Sequence, residues 1–189
     1  MVNTTRTRQI IFATVLVVGG LMAAHANYLI AELKYWIDKP EVSAEKMEPD
    51  TLVIESLGIK VPIVYVEESN EDAFQEGLIN GVVHYPGTAD IGKPGNPFIF
   101  GHSSDYIWSK GKYKTIFAVL PKIASDAEIK ASDHQGRVYR YKVTKTLVAS
   151  PNDTKLLDQQ DFKEKLLTIQ TSYPVGTALK RFIVVAQML

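Results

Sequence analysis

From residue 51 to the end, the chain is a succession of short β-branched and aromatic runs separated by turn-rich links. "TLVIESLGIKVPIVYV" (51–66) holds two such runs, broken around "SLG" at 56–58. "GVVHYPGTADIGKPGNPFIFGH" (81–102) holds two more, 82–84 and 98–101, on either side of a loop rich in Gly and Pro. "EIKASDHQGRVYRYKVTKTLVA" (128–149) is a hairpin pattern: an arm at 128–131, a turn through 133–136, then Val138, Tyr139, Arg140, Tyr141, Lys142 and Val143 in alternation. "LLTIQTS" and "RFIVVAQ" complete the set. β-Branched and aromatic side chains suit a pleated, half-buried surface. Many short strands with turn-rich links predict a mostly-β sandwich or closed barrel. Helical candidates are short, at 70–77, 114–122 and 158–165. No GxGxxG, Walker loop or 20–50-residue repeat occurs.

The first fifty residues differ in kind. Arg6 and Arg8 precede "IIFATVLVVGGLMAAHANYLIA", and residues 9–31 contain no Asp, Glu, Lys or Arg. As a helix that run is about 30 Å long, the thickness of a bilayer core. Arginines ahead of it favour a cytoplasmic N-terminus and an outward C-terminal domain. Tyr28, Tyr35 and Trp36 suit an interfacial belt, and His25 and Asn27 lie near the outer end. The expected layout is a cytoplasmic tail (1–8), a transmembrane signal anchor (9–31), a stalk (32–50) and a folded domain (51–189). "DKPEVSAEKMEPD" within the stalk is charged, carries two prolines and has little apolar content. Two alternatives stay open: cleavage after "AHA" at 24–26, which would release the domain, and a buried soluble helix.

Charge and composition narrow the function classes. Lys and Arg total 21 against 21 Asp and Glu, so nothing points to a nucleic-acid partner. Zero cysteines exclude disulfides and Cys-ligated zinc. The four histidines show no HxxxH or HxH spacing, so neither a metal nor a cofactor is expected.

Histidine is the side chain best placed to move protons near neutral pH. His102 ends the run "NPFIFGH" and opens a polar loop, "SSDYIW". His84 also ends a strand-like run, and His102 alone reads equally as a surface loop histidine. Ser172 follows a strand-like run, and Arg181 starts the next, nine residues on. Two antiparallel strands joined by a loop of that size bring these residues face to face at one rim of the barrel. An arginine beside a nucleophile holds a developing oxyanion or clamps a peptide carbonyl. Read alone, Ser172 is a turn serine and Arg181 a solvated edge charge beside Lys180.

"LTIQTSYPVGTALKRFIVVA" (167–186) resembles the active-site segment of the sortases, cysteine transpeptidases of Gram-positive-type cell surfaces. Their pattern is close to T-L-x-T-C, then Pro, Gly-Thr and an Arg ahead of a β-branched strand. On that resemblance Ser172 falls on the nucleophilic cysteine, Arg181 on the essential arginine and His102 on the catalytic histidine. "HYPGTA" through "GH" is similar to the family's segment around that histidine, and leans away from the pilin-polymerising branch. "YKTIFAVLPKI" and "SDAEIKASDHQGRVYRYKV" are similar to two further family stretches, with Ser125 where glycine is usual. The resemblance implies a closed barrel of about eight strands with short helices, behind one N-terminal transmembrane helix. It also implies partners: an extended LPxTG-like sorting peptide, an amine acceptor from the cell wall or a protein, and the membrane.

The implied route is attack of a thiolate on the Thr–Gly carbonyl, a thioacyl enzyme, and its resolution by the amine. Cysteine ionises near 8.5, so a thiolate is accessible beside an imidazolium. A serine hydroxyl is a far weaker acid and needs a neutral base in hydrogen-bond contact. No Asp is plainly placed to orient His102; Asp105 is the nearest in sequence. Three accounts of Ser172 stand: an introduced Cys→Ser change that stops turnover, a natural variant that binds sorting signals without processing them, and a working serine enzyme. A non-catalytic, membrane-anchored peptide-binding module is the competing function class.

Overall fold

The computed structural model describes residues 47–105, 110–157 and 163–189, together with 8, 12–15, 30, 33 and 34. Eight strands form a closed barrel: β1 (Thr51–Ile54), β2 (Ile59–Tyr65), β3 (Val82–His84), β4 (Phe98–Gly101), β5 (Glu128–Ser132), β6 (Val138–Ala149), β7 (Leu166–Tyr173) and β8 (Lys180–Met188). The order around the barrel is β1-β2-β3-β4-β7-β8-β6-β5, closed by the β1–β5 pair. The β-branched runs of the sequence are these strands, and the break at 56–58 is a short 3₁₀ turn, Glu55–Leu57, ending at Gly58. The first strand of the barrel begins at Thr51. Just before it, the Glu48 carbonyl accepts from Ser132 Oγ at 2.5 Å and the Asp50 N–H donates to the Asp133 carbonyl at 3.2 Å.

Two connections decide where functional groups emerge. β2 and β3 run parallel, which requires a crossover. Helix α1 (Glu71–Asn80) supplies it. Asn70 caps α1, its side-chain oxygen accepting from the Ala73 N–H at 2.9 Å, and Glu71 and Asp72 lie in the first turn, where negative charge favours the helix dipole. β4 and β7 also run parallel, with Gly101 opposite Thr171, and β7 meets β8 antiparallel, with Ser172 opposite Arg181. The C-terminal ends of β4 and β7 and the start of β8 therefore lie together.

Leu52, Ile54, Ile59, Val61, Ile99, Phe117, Leu120, Ile129, Tyr141, Leu167, Ile169 and Val184 fill the barrel. Phe117 sits against Gly101: a Cβ there would approach Phe117 Cδ2 and Val82 Cγ1 at 2.8 Å each. Only a residue without a side chain fits, so the backbone carrying His102 lies close against the core.

The helical candidates fare unequally. The one at 70–77 is α1. The stretch 114–122 is turn followed by a 3₁₀ segment, Leu120–Lys122, with Pro121 inside it; proline's missing N–H stops an α-helix from continuing there. At 158–165, residues 158–162 lie outside the described residues and 163–165 are not helical. Most of the anchor segment 9–31 also lies outside the described residues. Among the described residues no helix is long and apolar enough to cross a membrane.

Candidate active site

Strand alternation builds the site. Along β4, β7 and β8, Ile99, Leu167, Ile169 and Val184 point into the core. Phe98, Phe100, Gln170, Ser172 and Arg181 take the alternate positions and line a cleft of about 410 Å³ on the outer face of the barrel wall. The cleft also takes in Gly101, His102 and Thr171. α1 forms one side through Phe74, Gln75 and Leu78; the segment after β6 forms another through Pro151, Asp153, Thr154 and Leu157. His102, Ser172 and Arg181, on three chain segments, thus meet in one cleft. The cleft lies on the outer face of the wall near the strand ends. The outer face forms a cleft here because α1 and the 151–157 segment stand on either side of it.

Ser172 and Arg181 are directly cross-strand. The Arg181 Nη1 donates to the Ala178 and Lys180 carbonyls at 3.1 Å each. Among the described residues, its Nε and Nη2 make no hydrogen bond. A guanidinium has five N–H donors in a fixed plane, so anchoring one nitrogen on the turn aims the rest. Thr171 Oγ1 donates to the Gly101 carbonyl at 2.9 Å, continuing the β4–β7 contact with a side chain. One residue further on, His102 follows Gly101 as Ser172 follows Thr171.

His102 is partly buried, and its carbonyl accepts from the Phe117 N–H at 3.0 Å. Burial lowers the pKa of its imidazole, against smaller upward pulls from the Asp105 and Glu71 charges. No hydrogen bond joins the His102 ring to the Ser172 hydroxyl or to any other described residue. Asp105 therefore acts on His102 through charge and not as a hydrogen-bonded orienting group.

His84 lies elsewhere. It is 4% exposed, bonds the Ala89 carbonyl through Nε2 at 2.8 Å and stacks on Tyr65 at 4.6 Å. It lines no part of the cleft, and its pKa is also lowered by burial. His134, by contrast, bonds Asp50 at 2.9 Å and its pKa is raised, first by that hydrogen bond. An NMR titration is therefore expected to place His102 and His84 below the ordinary value of 6.5 and His134 above it. A lowered histidine binds its proton more tightly in the unfolded chain, so its contribution makes stability rise with pH from its folded value up to 6.5. His102 titrating above 6.5 would contradict the burial described here.

Several cleft residues went unforeseen. Phe74, Tyr85, Phe98 and Phe100 form an aromatic floor: Phe74 meets Phe100 edge-on at 5.0 Å and Tyr85 at 5.5 Å, and Tyr85 meets Phe98 edge-on at 6.2 Å. The signal was in "PFIFG", apolar on both faces of a four-residue strand, which is the pattern of a strand covered on both sides.

A cleft with an aromatic floor thus lies outside a closed eight-stranded barrel, with a hydroxyl and a guanidinium cross-strand and a histidine at the neighbouring strand end. The family model for the sortase domain matches residues 52–189. The chain belongs to the sortase family, whose members are cysteine transpeptidases. A Clostridium perfringens sortase D5 transpeptidase superposes with a TM-score of 0.60 at 26% identity, covering 84% of this chain and 88% of its own. Sortase C-1 of Actinomyces oris gives 0.61 at 22%, covering 85% and 84%. A lid mutant of Corynebacterium diphtheriae sortase A gives 0.60 at 23%, covering 88% and 94%; these last two bear on fold alone. No curated protein matches the chain in sequence.

Proposed function

We propose that this chain is a membrane-anchored sortase that binds an LPxTG-like sorting signal at the outer cell surface, with its transpeptidase chemistry impaired by Ser172. The observation that carries this reading is the meeting of His102, Ser172 and Arg181 in one cleft with an aromatic floor. In it the peptide lies extended over the aromatic floor, its apolar Leu-Pro head between α1 and the 151–157 segment. The scissile Thr–Gly carbonyl comes to Ser172, where outward donors of Arg181 meet its oxygen. His102 is the proton-transfer group, and a cell-wall or protein amine is the acceptor. Residues 9–31 anchor the domain, 32–50 hold it off the bilayer and 51–189 carry the site.

One observation favours a second reading, the binding module without chemistry. Serine requires hydrogen-bond contact with a base to act as a nucleophile, and no described residue gives the Ser172 hydroxyl a hydrogen bond. Both readings require the peptide to bind the same cleft. Titrating an LPxTG-type peptide into the labelled protein is expected to shift Phe74, Phe100, Gln170 and the 151–157 segment together. Saturating peptide that leaves these resonances still would remove both readings.

A further inference from the structure

The β4–β7 ladder ends at Gly101 and Thr171, yet His102 and the Ser172–Arg181 pair lie past that point, on separate segments. A hydrogen bond joins these segments beyond the ladder. The Gly176 N–H, in the turn between β7 and β8, donates to Ser104 Oγ at 3.1 Å across 72 residues of sequence. Gly176 has φ +85°, a left-handed conformation natural to glycine, which orients its N–H in that turn. The turn is itself organised by Thr177, whose N–H and Oγ1 both reach the Pro174 carbonyl, at 2.9 and 2.7 Å. On the other side of the histidine loop, the Phe117 N–H holds the His102 carbonyl at 3.0 Å. Between them, Ser103 is 1% exposed and its Oγ makes no hydrogen bond among the described residues. Packing alone fixes that side chain, and the polar tie to the neighbouring turn falls to Ser104.

We propose that Ser104 is a positioning residue: it fastens the His102 loop to the β7–β8 turn and so sets the spacing between His102 and the Ser172–Arg181 pair. This role rests on reading those three residues as one site. Its expected consequence can be read without turnover, since loosening the loop would expose His102 to solvent.

The test uses the protein as it stands, with amide exchange at Gly176 and the His102 NMR titration as readouts. In the unsubstituted chain the Gly176 amide is expected to be protected; an unprotected amide overturns the proposal without any variant. Ser104→Ala is expected to speed Gly176 exchange about two- to tenfold, the size of one net hydrogen bond. It should also move the His102 midpoint up toward the ordinary histidine value as the loop opens. Ser104→Thr keeps the hydroxyl and should keep both readouts. A merely structural serine would lower the melting temperature and leave the His102 midpoint where it was, and that result also overturns the proposal. Loss of peptide binding in the unsubstituted protein would sink the sorting-signal reading while leaving these measurements intact, so the two failures are separable.

Discussion

Replacing Ser172 with cysteine is expected to create transpeptidation of an LPxTG-type peptide at about 10³ times the rate of the serine chain, or more. The argument turns on where the proton goes. A cysteine near pKa 8.5 and a histidine near 6.5 exchange a proton at small cost, so a thiolate–imidazolium pair is accessible. Burial alone pushes the His102 pKa down, which disfavours the imidazolium unless an adjacent anion compensates. A thiolate at position 172 supplies that anion, and the two groups then titrate as a pair. Serine supplies none: its alcohol is too weak an acid, and it makes no hydrogen bond to the neutral ring that would let His102 act as a general base. Substrate binding, which rests on the aromatic floor in this account, is expected to survive in both forms. The assay is a quenched fluorogenic peptide with an amine acceptor, with mass spectrometry for the acyl-enzyme. Equal turnover by the serine and cysteine forms would replace this account with a serine–base mechanism. No turnover by either, with peptide still bound, would leave the binding module.

What was legible in the sequence divides along the range of the interactions involved. β7, β8 and their short connection are local, so the facing of Ser172 and Arg181 followed from a hairpin argument and the register bears it out. The β5–β6 hairpin was legible for the same reason: Val138 to Val143 alternate, and "DHQG" turns. The pairing of β4 with β7 spans about seventy residues, and no periodicity within either strand announces it. Bringing His102 to Ser172, in preference to His84, therefore rested on resemblance; the structure gives the physical ground, since His84 is committed to Ala89 and Tyr65 inside the fold. The barrel itself was legible only as one of two options, because strand content does not distinguish a closed sheet from a sandwich. Closure depends on β1 meeting β5. The stretch 114–122 misled because its apolar spacing resembles a helix while Pro121 and packing of Phe117 against Gly101 hold it in tight turns.

In the Ser172→Cys protein, Arg181→Ala is expected to lower kcat/KM by about 10²–10³, with most of the loss in kcat, the cost of removing one oxyanion donor. The geometry sets this expectation. Nη1 is held by the Ala178 and Lys180 carbonyls, so the guanidinium is pinned before substrate arrives and its remaining donors need little reorganisation as charge develops on the carbonyl oxygen. Arg181→Lys keeps the charge but cannot bond the turn and the oxygen through one rigid plane. It is expected to recover less than about a tenth of the arginine rate, given the loss of an aligned donor. Stopped-flow and steady-state measurements on the three proteins separate the possibilities. A rise in KM at constant kcat would mean that Arg181 grips the peptide equally before and during attack. An unchanged kcat/KM with a lowered melting temperature would reduce Arg181 to a staple of the β7–β8 turn, because its two backbone bonds are then its whole contribution.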